Sequence, residues 1–292
     1  MELWQAVVLG LVEGVTEYLP VSSTGHLILA ASLMRLGEGA AARAVDSYTI
    51  VIQGGAILAV AGLYARSVWR MLLGLLGRDA AGRALLLRLL VAFAPAALLG
   101  PLLEGAIERW LFRPGPVLAA LLLGGVWMIL LGRGWSKRQA AAERGQQSQD
   151  ATEALAATPW RTALGIGLFQ TLAMWPGASR SMMTIAGGVL LGLPPRRAAE
   201  FSFLLGLPTL GGATVYKLAK DAIGAEGASM FTQLGLLEAV VGLVVATVAA
   251  ALAVRWLVAF LTRHGLALFG WYRVALALAL GGLWLTGAAQ FS

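Results

Sequence analysis

Apolar residues run along this chain in long blocks, and the polar interruptions define its elements. A membrane-crossing helix needs about 20 largely apolar residues. Six blocks approach that length: Tyr48 to Tyr64, Leu85 to Leu103, Pro116 to Leu131, Phe201 to Tyr216, Leu234 to Val254 and about Leu266 to Thr286. Two others fall short. Leu3 to Val12 is apolar until Glu13 intervenes, and after Pro20 only Leu27 to Met34 remain before Arg35. Ala163 to Gln170 is followed in the same way by the break Pro176-Gly-Ala-Ser-Arg-Ser181 and a second arm, Met182 to Leu193. Short apolar arms around a polar turn predict re-entrant helical hairpins, whose irregular backbone must line a protein-walled cavity.

The two hairpins resemble each other. One constant shift places Ala6 on Ala163, Gly10 on Gly167, Leu11 on Leu168, Glu13 on Gln170 and Gly54-Gly55-Ala56 on Gly211-Gly212-Ala213, while Pro20 and Pro176 need a one-residue gap. With three spans between them, the hairpins enter from opposite faces, which is the inverted repeat with broken helices meeting near the midplane. The expected fold is therefore an all-α polytopic membrane protein of six transmembrane helices and two re-entrant hairpins. Its first repeat covers about 1–132 and its second about 162–292. Between them lies a polar linker, 133–161, expected to hold little fixed structure.

Composition agrees with a membrane protein. Of the 292 residues, 59% are hydrophobic and 13% charged, against roughly 25% charged in soluble domains. The net charge of +7 is loop charge facing anionic lipid, because no basic run with interleaved aromatics marks a nucleic-acid surface. There is no cysteine, which excludes disulfides and thiol chemistry. The N-terminus lacks the basic region of a signal peptide, so residues 1–34 are read as part of the fold. Most Lys and Arg residues, among them Arg66, Arg70, Arg78, Arg83, Lys137, Arg138, Arg196 and Arg197, fall on one side of the predicted topology. The positive-inside rule makes that side cytoplasmic, which leaves both termini and the first hairpin external.

The first break concentrates the chemistry. Glu13 and Glu17 are spaced i, i+4 and share one helix face, a like-charge pair that calls for a shared proton or a bound cation. After Pro20, the hydroxyls of Ser22, Ser23 and Thr24 suit the N-cap of a second short helix starting near Gly25. Free N–H groups at such a helix start form an anion site. The second break adds Arg180, whose rigid fork matches phosphate oxygens. A phosphate ligand follows, bridged by a divalent cation, Mg2+ or Ca2+, on Glu13 and Glu17. Candidate nucleophiles for cleavage are Ser23, with Thr24 and His26 as rivals, and Glu17 takes the proton or orients the imidazole. Substrate contacts are assigned to Ser22, Thr24, Gly25, Gln170, Gly177, Ser179, Ser181 and Thr184. For Ser181 and Thr184 the competing assignment is hydroxyl packing between helices.

Glu13-Gly-Val-Thr-Glu-Tyr-Leu-Pro-Val-Ser-Ser-Thr-Gly-His26 and Trp175-Pro-Gly-Ala-Ser-Arg-Ser181 together resemble the signature pair of the undecaprenyl-pyrophosphate phosphatase family, also called bacitracin-resistance proteins. Gln53-Gly-Gly-Ala-Ile-Leu-Ala-Val60 and Glu200-Phe-Ser-Phe-Leu-Leu-Gly-Leu-Pro208 extend the likeness over nearly the whole chain. The resemblance implies removal of the terminal phosphate of undecaprenyl pyrophosphate, which recycles the carrier lipid for cell-wall synthesis and confers bacitracin resistance. It also implies a divalent cation and a bacterial plasma-membrane site facing the periplasm or exterior. Glu13 and Glu17 match the family's acidic motif, Ser23 and His26 its nucleophile region, and Arg180 its phosphate-binding arginine. The motifs of the lipid phosphatases related to phosphatidic acid phosphatases are absent, and the only other histidine, His264, lies in a distant basic loop. The rival function is a secondary transporter or lipid flippase, since the same architecture serves transport. Paired carboxylates beside clustered hydroxyls favour chemistry.

Overall fold

The computed structural model describes residues 1–36, 39–132, 150–223 and 235–285, with the backbone alone described at 39–44, 46 and 220–223. Among these residues every regular element is helical. The helices are α1 (Leu3–Thr16), α2 (Ser23–Leu33), α3 (Gly39–Leu63), α4 (Ala65–Leu75), α5 (Ala80–Trp110), α6 (Pro114–Gly132), α7 (Ala151–Ala156), α8 (Trp160–Leu172), α9 (Arg180–Leu190), α10 (Pro195–Ile223), α11 (Leu236–Leu261) and α12 (Ala267–Leu285).

Five of them, α5, α6, α10, α11 and α12, are long and apolar enough to cross a membrane. Exposed leucines and valines along α5, α6, α11 and α12, such as Leu98, Leu102, Leu123, Val248 and Leu278, form the surface that lipid would cover. The sixth expected span differs from a straight helix. After Leu63 the chain turns by 85° into α4, so Tyr48 to Tyr64 qualifies as a crossing only as part of a bent pair. Helix α4 has Trp69, Leu72 and Leu75 exposed and Ser67, Met71 and Gly74 buried.

Helix α5 is longer than its apolar block and carries Pro95 and Pro101 inside it. Its start is capped by Asp79, which accepts from the Gly82 N–H at 2.7 Å.

The 133–161 linker is more ordered at its end than its polarity suggests. Residues 133–149 lie outside the described residues, as do Glu38, Leu234 and Thr286. From Asp150 onward, however, the chain forms α7 and then enters α8 at Trp160. Asp150 pairs with Arg66 and Arg70 at 3.0 Å each, the Ser67 and Thr152 hydroxyls meet at 2.9 Å, and Leu155 is buried. Those contacts supply what a polar composition cannot advertise.

Both short-armed hairpins are present: α1 with α2, and α8 with α9. Each is clasped by a long helix through small residues. Helix α1 packs on α11, where a Cβ at Gly10 would lie 2.8 Å from the Gly242 carbonyl oxygen and one at Gly14 would lie 2.5 Å from that of Ala246. Helix α8 packs on α5 in the same manner, with Gly167 against the Ala92 carbonyl. Gly55 of α3 similarly approaches the Leu243 carbonyl of α11, and Gly212 of α10 approaches Phe93 of α5. The two breaks then enter one apolar core, in which Tyr18 and Val21 of the first lie with Met182, Ile185 and Phe203.

Candidate active site

Each hairpin turns at a serine in an uncommon backbone conformation. Ser22 has φ 75° and Ser179 has φ 71°, and each is the residue immediately before its second helix. Non-glycine residues with positive φ cost of order 1–3 kcal/mol and concentrate where surrounding structure over-determines them. Helix α2 begins at Ser23, two residues before the expected Gly25, and Ser22 makes no side-chain cap. Ser179 does cap α9, accepting from the Met182 N–H at 3.3 Å.

Ser23 and Arg180 are thus the first residues of the two short helices, and Glu17 joins them. Ser23 Oγ donates to Glu17 Oε2 at 2.7 Å, and Arg180 Nη2 donates to Glu17 Oε1 at 3.1 Å. Arg180 is held from behind. Its Nη1 donates to the Ser202 carbonyl at 3.0 Å, and its guanidinium sits 5.3 Å over the Tyr18 ring. Tyr18 is itself pinned by its hydroxyl to the Ala56 carbonyl at 3.1 Å and by an edge contact with Phe203. A strand of contacts from α3 and α10 therefore fixes where the fork points.

The other predicted residues separate into two groups. Thr24, His26 and Ser179 are half-buried like Ser23 and Arg180, whereas Glu13, Ser22, Gly25, Gln170, Gly177, Ser181 and Thr184 are buried. Two of the buried hydroxyls are spent inside the protein: Ser181 donates to the Leu19 carbonyl at 2.9 Å, and Thr184 meets the Ser202 hydroxyl at 2.6 Å. They hold the two breaks and α10 together, which is the packing assignment. Gln170 accepts from Thr209 at 3.1 Å, leaving its amide nitrogen without a partner.

His26 stands apart from the other nucleophile candidates. Its Nδ1 meets the Ser22 carbonyl at 2.7 Å and its Nε2 meets the Tyr272 hydroxyl at 2.6 Å, with the two rings stacked. Both nitrogens are engaged away from Ser23. The carboxylate that accepts from Ser23 is Glu17.

Glu13 presents a different case. It is 1% exposed, and neither carboxylate oxygen has a partner in the protein. Glu17, Arg180 and Lys217 are the charges that act on it. A buried carboxylate left without donors is costly, and two free hard oxygens suit a hard cation. Among the described residues no group of three or more His, Cys, Asp or Glu surrounds a common point. Glu13 and Glu17 would be the protein's share of such a site, suited to an ion that takes its remaining oxygens from water and phosphate.

Sequence reasoning placed α12 as a span but missed its contacts with the two breaks. Arg273, left unassigned by the motifs, is fully buried, and its Nη2 donates to the carbonyls of Ala120 at 3.0 Å and Gly177 at 2.8 Å. The adjacent Tyr272 holds His26. The Tyr-Arg pair therefore touches both breaks, one residue to each. The available signal was a lone arginine inside an otherwise apolar block, which is a functional pointer in a membrane helix.

Comparison with known proteins shows the family. The bacitracin resistance protein BacA family matches residues 6–279. The chain belongs to this family. Relatives align over nearly the whole chain. An undecaprenyl-diphosphatase of Sorangium cellulosum is 44% identical over 285 residues, covering 97% of this chain and 86% of that protein. Undecaprenyl-diphosphatases of Azotobacter vinelandii and Pseudomonas syringae are 42% and 41% identical, with at least 97% of each partner covered. In this BacA family member both signature breaks meet at Glu17.

Proposed function

We propose that this chain is an integral membrane phosphatase that hydrolyses undecaprenyl diphosphate to undecaprenyl phosphate and inorganic phosphate. Supporting this are the family, the names of the relatives, and one observation in particular: a serine hydroxyl, a carboxylate and a guanidinium, drawn from two hairpins, in a single hydrogen-bonded chain. Arg180 and the N–H groups opening α2 and α9 receive the terminal phosphate. As Ser23 Oγ attacks phosphorus, its proton passes to Glu17 Oε2, and the bond to the bridging oxygen breaks with the electron pair leaving on the lipid phosphate. Water then attacks the phosphoserine. Ser23 Oγ departs and recovers the proton held on Glu17, while both protons of the water leave with inorganic phosphate.

Glu13, with Glu17, would hold a divalent cation, Mg2+ or Ca2+, which when bound neutralises phosphate charge beside the carboxylate pair. His26, anchored at Tyr272 and Ser22, orients the start of α2 rather than activating Ser23.

Matching turns at Ser22 and Ser179, and matching glycine contacts of α1 with α11 and α8 with α5, support an inverted repeat of about 1–132 and 162–292. Counting the bent α3 and α4 pair as one crossing gives six spans. In a bacterial plasma membrane, the charge asymmetry supports an orientation with the site toward the periplasm or exterior. The relatives' names give the transporter or flippase reading no support.

Phosphate release by the purified protein from undecaprenyl diphosphate, with and without chelator and in Ser23→Ala, tests the proposal. Movement of the intact lipid diphosphate across vesicles without phosphate release would overturn it in favour of transport.

A further inference from the structure

The site contains a second guanidinium with no counter-charge. Arg273 makes no ion pair among the described residues, and its Nε and Nη1 are buried without partners. An unpaired cation sealed in a membrane protein's interior is expensive and is retained where something anionic meets it. The protein even makes room for it: a Cβ at Gly124 would lie 2.5 Å from Arg273 Nη2.

Its surroundings indicate which anion. On one side Arg273 grips the Gly177 carbonyl, in the turn that leads into Ser179 and Arg180. On the other it grips the Ala120 carbonyl of α6, one turn beyond Val117. Val117 helps line a largely apolar groove with Gly25, Ile28, Leu118 and Leu280, which carries Arg113 beside Phe112. Ala277 and Leu280 continue the Arg273 face of α12 at i+4 and i+7, and they pack with Val117 and Leu121. A buried cation bonded to the helix that lines a largely apolar groove suits an amphiphile whose charged head adjoins its chain.

We propose that Arg273 binds, through Nε and Nη1, the phosphate that stays on the lipid, while Arg180 holds the phosphate that is transferred. This rests on the diphosphatase reading. The lipid chain then leaves along the groove between α2, α6 and α12. Because Arg273 is closed off in this structure, the half-exposed His26 and Tyr272 stack beside it has to move as the head group enters.

The assignment separates two anion subsites by chemistry. Binding of farnesyl diphosphate and of farnesyl monophosphate to the full-length Ser23→Ala protein is measured with and without Arg273→Gln, alongside inhibition of the otherwise wild-type enzyme by inorganic phosphate. Gln keeps an amide for the two carbonyls and loses the charge. Both prenyl ligands should weaken about 10-fold or more, with inorganic phosphate inhibition changed less than about 3-fold, as expected for loss of one charged hydrogen-bonding partner. Arg273→Lys, which restores charge without the fork, should recover part of the loss. A lowered thermal midpoint with unchanged affinity for both prenyl ligands would overturn the proposal and leave Arg273 a structural pin. Equal weakening of inorganic phosphate would also overturn it. If the wild-type protein binds prenyl phosphates through Arg273 but releases no phosphate, the subsite stands and the hydrolytic reading falls.

Discussion

Glu17 and Arg180 are 163 residues apart in sequence and 3.1 Å apart in space. Both are largely withdrawn from solvent, with side-chain exposures of 7% and 10%. Removing one partner of such a pair leaves an uncompensated charge, at about 3–5 kcal/mol. Glu17→Gln should therefore lower the thermal midpoint as well as activity. The double variant Glu17→Gln with Arg180→Gln should regain part of the midpoint and none of the phosphate release. Additive stability losses in that cycle would show the pair to be uncoupled.

Arg180 makes one bond to Glu17 and another to the Ser202 carbonyl from different guanidinium nitrogens. Lysine cannot reproduce that planar arrangement. Arg180→Lys is expected to lose about 10²–10³ in kcat, the scale of a removed transition-state donor. Steady-state phosphate release measures it, and activity near wild type would show that charge alone suffices.

Ser23→Ala deletes a hydroxyl 2.7 Å from its base. Turnover should collapse with substrate affinity largely kept, because the lost interaction is made chiefly in the transition state. Rapid-quench labelling of the wild type should trap a phosphoserine. An acid-labile phosphohistidine, or no adduct at all, would move the role to His26 or to water.

The unpartnered oxygens of Glu13 predict a cation effect visible without turnover. Adding Mg2+ or Ca2+ to chelated protein should raise the thermal midpoint, and Glu13→Gln should abolish the rise. Full wild-type activity in excess chelator would remove the metal from the mechanism.

Asp79, just before α5, accepts a hydrogen bond from Arg70 at 2.7 Å, which holds its carboxyl below the ordinary value. A depressed folded-state pKa contributes stability above the unfolded value of about 3.9, and that contribution is lost as pH falls through the folded value. Thermal midpoints should thus be insensitive to this pair from neutral pH down to about 4 and decline below it. Asp79→Asn should lower the midpoint at neutral pH and flatten the acid decline. An unchanged acid limb in that variant would exclude the pair.

Hydrophobic block length and polar spacing were enough to determine an all-helical membrane protein, five of its long helices and both short-armed hairpins, since these follow from local solvation and from the cost of polar groups in lipid. The same reasoning singled out Glu13, Glu17, Ser23 and Arg180, because clustered charges and hydroxyls stand out in an apolar chain. Only the tertiary structure decided their partners. Whether Ser23 faces Glu17 or His26 depends on the turn at Ser22 and on a tyrosine 246 residues away. The 85° bend after Leu63, the docking of α7, and the burial of Arg273 against Ala120 and Gly177 likewise arise from long-range packing. Local pattern records what a residue is soluble in. It carries no information about which distant carbonyl or carboxylate will satisfy it.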